Sequence, residues 1–567
     1  MESTPHASWQ RIALEAQVLR DKAIPSNWLL SSPPRENVLN VTKVPYTCGI
    51  MTEKELELTD KDATELLAML KDGRLKSYDV TLAFCKRAAI AHQLVNCMTE
   101  MWFEEALDRA RELDQIFALS GPVGAYHGLP FSIKNTFAVK GRRSSGGYVA
   151  WYDNIAGEDA PVVKIIRDQG AVFFCKTTNP QTAMHLETES NLYGRTLNPF
   201  NRMLTPGGSS GGEGALVAMG GSPIGLGGDG GGSIRSPAAN NGLFGMKATS
   251  DRIPYLRSAA IMRGCKSFPT VAGPICKSAR DGEYFMKTVL ETAPWVREPS
   301  VVPIPWRQMS MPEKITIGLY IDDGSVMPHP PITHALKALK TKLEEDPKFE
   351  VVEWTPYQHD VGYDLIRQLY WEDGGVETME VMTRSGEPVL PLTKWVMKES
   401  HVRPRTLKES WELNYRRETF QSMALSRALS NYHIANQVLP EEYLTNWLSA
   451  PKVPDFLVGP VGPSVAPKHE TARYWGYTAI FNLLDYPAAA FPTGLTASAE
   501  THVVDTAYVP RDNEFDEYNW KQYEPSAYEG APISLQVVGR KWDCERVLKV
   551  AGMISELCML SVGKSKK

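Results

Sequence analysis

A run of 26 residues, Gly207 to Gly232, contains 13 glycines and constrains this sequence more than any other feature. Glycine at that density costs backbone entropy, so the run is expected where the backbone needs conformations or close approaches that a Cβ would block. A flexible linker is the alternative, but Ala215–Met219 is typical of a helix and Pro223-Ile224 of buried chain. We therefore predict a packed region with two serines, Ser209 and Ser233, that could carry chemistry.

Two short motifs overlap this run and indicate different functions. Gly207–Gly211 fits GxSxG, the nucleophile elbow of α/β-hydrolases, which would make Ser209 the nucleophile. That interpretation requires an acid and then a histidine downstream, and His469 is available. Gly225–Gly230 fits the dinucleotide fingerprint GxGxxG, but that fingerprint opens a helix at once, whereas here more glycines follow. The residues alone favour neither a phosphate loop nor a zinc protease, because neither motif is present.

The hydrophobic pattern outside this run alternates between strands and helices. Since strand candidates lie at both ends of the chain, we predict one α/β domain around a single large sheet. Residues 1–60 are interpreted as an N-terminal helical arm and 61–567 as the catalytic domain, with core motifs at 128–247. A helical excursion at about 358–450 is expected to shape a pocket. The predicted strands cover residues 129–133, 171–175, 315–320, 349–354, 456–458 and 533–538, and a helix over 332–343 makes a βαβ unit.

Composition and charge indicate which kinds of partner and which compartment to expect. The net charge of −5 comes from 61 basic and 66 acidic residues that are well mixed, so a nucleic-acid partner is not expected. The eight cysteines are scattered without a CxxC pair and indicate reduced thiols. No secretory signal and no stretch of about 18 apolar residues is seen, so we expect a cytoplasmic protein without a membrane span. The sequence does not fix an oligomeric state, and a homodimer stays open.

Three motifs in fixed order carry a resemblance to a known family. HGLPFSIKN at 127–135 precedes GGSSGGEGA at 207–215, and GDGGGSIRSPAANNG follows at 228–242. Together they closely resemble the signature of the amidase-signature family of serine hydrolases. The similarity covers roughly residues 60 to 560 and also includes 176–181 and 530–539. Two further segments, 328–331 and 354–360, look like the fungal acetamidase branch of that family.

The resemblance implies a single large mixed β-sheet covered by helices and a hydrolase that needs no metal or organic cofactor. It implies that Ser233 is the acyl-enzyme nucleophile, that Ser209 is a relay serine held on a cis peptide bond, and that Lys134 is the base. The other implied residues are the oxyanion-hole amides and substrate contacts Gly230, Gly231, Gly232, Ser233, Ser209 and Met184, and the supporting residues Ser210, Asp229 and Arg235.

A lysine can act as the base only when it is neutral. Lowering a lysine pKa from its reference value to about 7 requires about 4–5 kcal/mol of differential stabilisation. Burial supplies it by disfavouring the ammonium form, and the position of Lys134 at the end of an apolar strand would allow that burial. Ser209 can relay a proton because a hydroxyl both donates and accepts.

Two positions depart from the family pattern. Asn135 stands where the family usually has Asp, and we expect its lack of charge to help Lys134 stay neutral. Gly230 stands where the family usually has Ile or another side chain, which would widen the pocket.

We therefore expect an amidase that hydrolyses a carboxamide, with water as second substrate, to a carboxylic acid and ammonia or an amine. The acetamidase-like features favour small primary amides. One alternative is an amidase or esterase of specialised metabolism acting on a larger aromatic or acyl amide. Another, disfavoured by the intact catalytic positions, is a catalytically silent binding subunit.

Overall fold

The computed structural model describes residues 9–397, 401–421 and 443–564. Residues 1–8 of the predicted arm 1–60 therefore lie outside the described residues, as do residues 398–400 and 422–442 of the predicted excursion. In chain order the strands are β1 Met98–Met101, β2 Pro130–Lys134, β3 Val172–Thr177, β4 Glu189–Ser190, β5 Gly194–Arg195, β6 Ile224–Asp229, β7 Phe244–Lys247, β8 Val271–Cys276, β9 Ile315–Leu319, β10 Phe349–Glu353, β11 Phe456–Pro460, β12 Ala488–Thr496 and β13 Pro532–Val538.

Helices precede, connect and follow these strands. They are α1 Trp9–Asp21, α2 Val44–Thr47, α3 Glu53–Asp60, α4 Ala63–Lys71, α5 Ser77–Val95, α6 Phe103–Ser120, α7 Pro161–Asp168, α8 Gly211–Ala218, α9 Arg235–Asn240, α10 Ala279–Glu291, α11 Pro330–Glu345, α12 His359–Leu369, α13 Val376–Ser385, α14 Pro391–Met397, α15 Leu407–Gln421, α16 Tyr443–Leu448, α17 Gly476–Leu483, α18 Glu514–Lys521 and α19 Cys544–Lys564. None of the described helices is long and apolar enough to cross a membrane.

Among the described residues, eleven strands form one sheet in the order β1-β3-β2-β6-β8-β7-β12-β13-β11-β9-β10. The sheet is mixed: β3, β2 and β6 run parallel, as do β11, β9 and β10, and the pairs between these two groups are antiparallel. The prediction of an α/β fold around a single large mixed sheet is confirmed. Short strands β4 and β5 form a separate hairpin.

The sheet is buried on both faces over its centre, which explains its apolar strands. Every residue of β2, β3, β6, β8 and β13 is buried. Strands covered by helices on both faces show continuous apolar runs rather than alternation. The predicted βαβ unit is β9-α11-β10, whose two strands pair in parallel.

The predicted excursion consists, over its described residues, of α12 to α16, which pack aromatic side chains into a second core. This core includes Tyr363, Tyr370, Trp371, Tyr443 and Trp447. It also includes Leu457, Ala488 and Val538 of β11, β12 and β13, so these helices pack against the sheet.

Candidate active site

The site lies where two parallel strands end. Lys134 is the last residue of β2 and Asp229 is the last residue of β6, and these neighbouring strands are parallel. Their carboxyl ends therefore meet at one edge of the sheet, the usual place for a ligand in an α/β fold. The loop 230–233 begins at this edge, directly after Asp229.

Lys134 and Ser209 are in direct contact. The Nζ atom of Lys134 lies 2.7 Å from the Oγ atom of Ser209, and both residues are buried. Burial lowers the pKa of Lys134 to about 7, although the charge of Asp229, and that of Glu213 if it is ionised, act in the opposite direction. The peptide bond between Gly208 and Ser209 is cis. A neutral Lys134 amine can thus accept a proton from the Ser209 hydroxyl.

Ser233 is the more accessible of the two serines. Its exposed fraction is 8%, against 2% for Ser209, and both line the same cavity. The two serine loops are joined by the backbone, because the N–H of Ser210 donates to the carbonyl of Ser233 at 3.2 Å. Among the described residues the Ser233 hydroxyl has no hydrogen-bond partner, so it is free to meet a molecule in the cavity.

The Ser210 side chain holds the start of α8 against β6. Its hydroxyl donates to the carbonyl of Gly228 and accepts from the N–H of Gly228, both at 3.3 Å. The side chain therefore links the start of α8 to β6 and does not line the cavity.

Asp229 and Arg235 form a fully buried ion pair that holds the loop 230–233. Arg235 donates through Nε and Nη2 to the carboxylate at 3.0 and 3.1 Å. Burial alone would raise the pKa of the Asp229 carboxyl, but Arg235 and Asn482 hold that pKa well below its usual range. Separating the pair would leave a buried charge without its partner, which costs free energy. The pair therefore holds the loop in this position.

Three of the four N–H groups of the loop 230–233 have no acceptor among the described residues. Gly230, Gly231 and Ser233 line the cavity, and their N–H groups donate to no described residue. The structure corrects the prediction at Gly232: its N–H donates to the Asp229 carboxylate at 2.7 Å and is not free to bind an oxyanion.

Two hydroxyl groups hold the opposite side of this loop. Tyr370, which follows α12, donates to the carbonyl of Gly230 at 3.0 Å, and Thr478 of α17 donates to the carbonyl of Gly231 at 2.6 Å. In a trans peptide the C=O and N–H point in opposite directions. The bond from Tyr370 therefore turns the N–H of Gly231 away from the tyrosine. The sequence contained no motif that indicated either residue.

Glycine is required at position 232 for two reasons. Its φ of 130° is one that L side chains rarely adopt, and a Cβ there would lie 2.3 Å from the Thr478 hydroxyl oxygen. The glycine density of the run thus reflects close approach and unusual backbone at this position, as predicted.

The cavity in front of the serines has a volume of about 910 Å³. Met184 lines it, at a point where the two preceding residues, Thr182 and Ala183, have positive φ angles. Much of the wall comes from residues 250–270, the connection between β7 and β8. The sequence predicted pocket walls from the excursion, Met184 and Gly230, but gave no sign of this connection, because residues 250–270 have no regular periodicity. The other apolar lining residues include Tyr148, Leu186, Ile261, Phe268, Tyr370 and Trp475.

The two competing motif interpretations do not fit the structure. His469 contacts Glu187 through Nδ1 at 2.9 Å and the carbonyl of Arg202 through Nε2 at 3.1 Å, so neither ring nitrogen meets Ser209. The GxGxxG sequence lies along the buried strand β6 rather than in a strand-to-helix turn. Neither a histidine-activated Ser209 nor a dinucleotide site is supported.

Comparison with known proteins agrees with this geometry. The family model described as Amidase matches residues 79–548. This chain belongs to the amidase-signature family. Among amidases, it is 38% identical to an acetamidase of Aspergillus oryzae over 98% of this chain and 99% of the relative. It is also 38% identical to an acetamidase of Emericella nidulans, over 97% and 98% of the two chains.

A solved structure of an amidase-signature enzyme extends the likeness to the fold. A fatty acid amide hydrolase superposes with a TM-score of 0.90 at 33% identity and covers 97% of this chain and 95% of that one. The chain is accordingly an amide-hydrolysing enzyme.

The departure at Asn135 has a defined structural setting. Its Oδ1 atom accepts from the N–H and hydroxyl of Ser145 and from the N–H of Gly146 at 2.8, 2.9 and 3.1 Å, and its Nδ2 atom donates to Thr99. An aspartate could accept the same three bonds, so the loop should survive the change.

We predict that Asn135→Asp moves the acidic limb of the kcat/KM profile to higher pH. A carboxylate next to Lys134 stabilises the ammonium form, so a higher pH is needed to reach the neutral amine. The measurement is the pH–rate profile of the variant beside wild type, with thermal unfolding as the control for folding. An unchanged acidic limb would show that residue 135 does not influence Lys134.

Proposed function

We propose that this amidase cleaves its substrate through an acyl-enzyme, with Ser233 as nucleophile, Ser209 as relay and Lys134 as base. The observation that carries the proposal is the 2.7 Å contact between Lys134 Nζ and Ser209 Oγ in a buried setting that lowers the pKa of Lys134 to about 7. A serine hydroxyl is a weak nucleophile until a positioned base takes its proton, and this pair is such a base.

The proposed proton path runs in both directions. As Ser233 Oγ attacks the amide carbon, its proton passes to Ser209 Oγ, and the Ser209 proton passes to Lys134 Nζ. The tetrahedral oxyanion is stabilised by the free N–H groups of the 230–233 loop. The proton then returns through Ser209 to the leaving nitrogen, since an amide anion leaves poorly. A water molecule then attacks the acyl-enzyme along the same proton path, and the carboxylic acid is released from Ser233.

Small primary amides are the proposed substrates. Two relatives named acetamidases match nearly the whole chain at 38% identity. A second candidate, a larger aromatic or acyl amide, is favoured by the cavity: about 910 Å³ with aromatic walls falls within the range of pockets that enclose drug-sized ligands.

A series of primary amides of increasing acyl size separates these candidates. If kcat/KM is highest for two- to four-carbon amides and falls with size, the acetamidase-like assignment holds. If it rises with aromatic or long acyl groups, the cavity describes the substrate and the second candidate replaces the first. Wild type, Ser233→Ala and Lys134→Ala are assayed side by side.

The same series tests the second departure. A Cβ at Gly230 would lie 2.9 Å from the Thr270 hydroxyl oxygen and 3.5 Å from the Phe268 ring, both in the cavity wall. We expect Gly230→Ile to lower kcat/KM for the bulkiest amides about tenfold or more, and for the smallest amides by less, because the side chain narrows the pocket. Equal losses across the series would contradict this and indicate damage to the loop.

A further inference from the structure

Glu213 is a buried acid that the proposed reaction does not use. It lies in the first turn of α8, directly after the two serines 209 and 210, and has no exposed surface. Its Oε2 atom is 2.5 Å from the hydroxyl oxygen of Ser132 on β2, and its Oε1 atom accepts from Thr177 on β3 at 2.8 Å. No described cation forms an ion pair with it.

Its contacts place it beside Lys134. Ser132 and Lys134 are two residues apart on β2, so their side chains lie on the same face of the strand. Glu213 therefore joins the helix that follows Ser209 to the strand that ends at Lys134. Space for the carboxyl group exists only because Gly225 of β6 has no side chain: a Cβ there would lie 1.9 Å from Oε2 of Glu213.

Counting hydrogens indicates that Glu213 is protonated. Three short contacts run in a chain: Glu213 to Ser132 at 2.5 Å, Ser132 to Ser222 at 3.0 Å, and Ser222 to the carbonyl of Ile224 at 2.8 Å. Each contact needs one hydrogen, but two serine hydroxyls supply only two. An ionised Glu213 would leave one contact between lone pairs, whereas a protonated Glu213 supplies the third hydrogen.

The surroundings agree with this count. Burial raises the pKa of Glu213 to about 8, although its hydrogen bonds to Ser132 and Thr177 and the charge of a protonated Lys134 act in the opposite direction. The acid therefore holds its proton at neutral pH.

We propose that Glu213 is a positioning residue, held as a neutral carboxylic acid, that connects the Ser209 helix to the Lys134 strand without placing a negative charge beside Lys134. This inference rests on the proposed role of Lys134 as a base. An ionised carboxylate at this point would stabilise the lysine ammonium, which cannot accept a proton. The other nearby acid, Asp229, is already paired with Arg235.

Infrared spectroscopy tests the protonation directly. We expect the difference spectrum of wild type minus Glu213→Gln at pH 6.5 to contain the carbonyl stretch of a protonated carboxyl group, shifted in D₂O. Carboxylate bands in its place would overturn the inference. The matched control is Glu545→Gln, because Glu545 is also buried but pairs with Arg252 and Arg307 at 3.1 and 3.0 Å. Its difference spectrum should show carboxylate bands.

Activity tests the positioning role. Glutamine can reproduce the neutral acid, since its Nε2 can donate to Ser132 and its Oε1 can accept from Thr177. We expect Glu213→Gln to keep kcat/KM within about threefold of wild type with an unchanged acidic limb, and Glu213→Ala to lower kcat about tenfold or more with little change in KM. An acidic limb moved about one unit lower in Glu213→Gln would show that the wild-type group is charged and would overturn the proposal.

These results separate the inference from the proposed function. Activity retained by Ser233→Ala would overturn the proposed function and leave the infrared result unaffected. If Glu213→Ala does not fold, the glutamine variant and its spectrum still decide, because that variant keeps every hydrogen bond.

Discussion

Ser233→Ala is expected to lower kcat/KM for any amide substrate at least about 10⁴-fold, to the level of the remaining oxyanion and binding contributions. The alanine removes the only serine oxygen that is both exposed to the cavity and free of hydrogen bonds among the described residues. Ammonia or amine release in a continuous assay measures the loss, and circular dichroism and thermal unfolding show that the variant is folded.

A covalent probe distinguishes Ser233 from Ser209. We expect a fluorophosphonate to form one adduct, located on Ser233 by peptide mass spectrometry, and to label Ser209→Ala far more slowly because the relay is broken. Ser210→Ala is the matched control, since among the described residues that hydroxyl bonds only to Gly228, and the variant should label almost as fast as wild type. An adduct on Ser209 would contradict the assignment and return the nucleophile role to the GxSxG motif.

Lys134→Ala is expected to lower kcat by about 10²–10⁴-fold, the usual contribution of a positioned general base. In the proposed mechanism the neutral amine is the active form, and burial lowers the pKa of Lys134 to about 7. Activity should therefore rise as pH increases through 7, and the variant should lose this dependence. Profiles of kcat/KM between pH 5 and pH 9 for both proteins provide the measurement.

Lys176 provides the matched control for this experiment. It is fully buried on the adjacent strand β3, burial also lowers its pKa to about 7, and it donates to Ser144 rather than to a catalytic serine. Lys176→Ala should keep the acidic limb at its wild-type position even if its stability falls. An acidic limb that disappears with Lys176 and persists without Lys134 would contradict the proposed base.

Protein stability gives an independent measure of the same pKa. Because the folded pKa of Lys134 is about 7 and its ordinary value is 10.5, the unfolded chain holds more protons at this position between those values. Lys134 therefore makes the free energy of unfolding rise with pH across that window. Lys134→Ala should remove this part of the slope and raise stability at pH 7, in contrast to its effect on turnover.

Much of the fold could be predicted from the sequence, because the local hydrophobic pattern agrees with the burial seen in the structure. The predicted strand 129–133 is β2 at Pro130–Lys134, and the predicted 171–175 is β3 at Val172–Thr177. The predicted helix 332–343 is the middle of α11. The order of strands in the sheet could not be predicted, because pairing such as β12 with β7 joins residues more than 200 positions apart and depends on packing rather than on local periodicity.

In the site, too, local motifs could be predicted and long-range contacts could not. Short sequence motifs were enough to identify four of its residues, Lys134, Ser209, Asp229 and Arg235. The engagement of the Gly232 amide by Asp229 could not be predicted, since it depends on how the loop turns. The bonds from Tyr370 and Thr478 were equally hidden, because each crosses from a distant segment that carries no motif.

The bond from Tyr370 to Gly230 couples the cavity wall to the loop 230–233. The same tyrosine lines the cavity and orients the peptide between Gly230 and Gly231, which the proposed mechanism places against the oxyanion, and Phe268 packs edge-on against its ring with 4.8 Å between ring centroids. A substitution that reshapes this wall at Tyr370 or Phe268 is therefore expected to change substrate range and turnover together, because one side chain contributes to both.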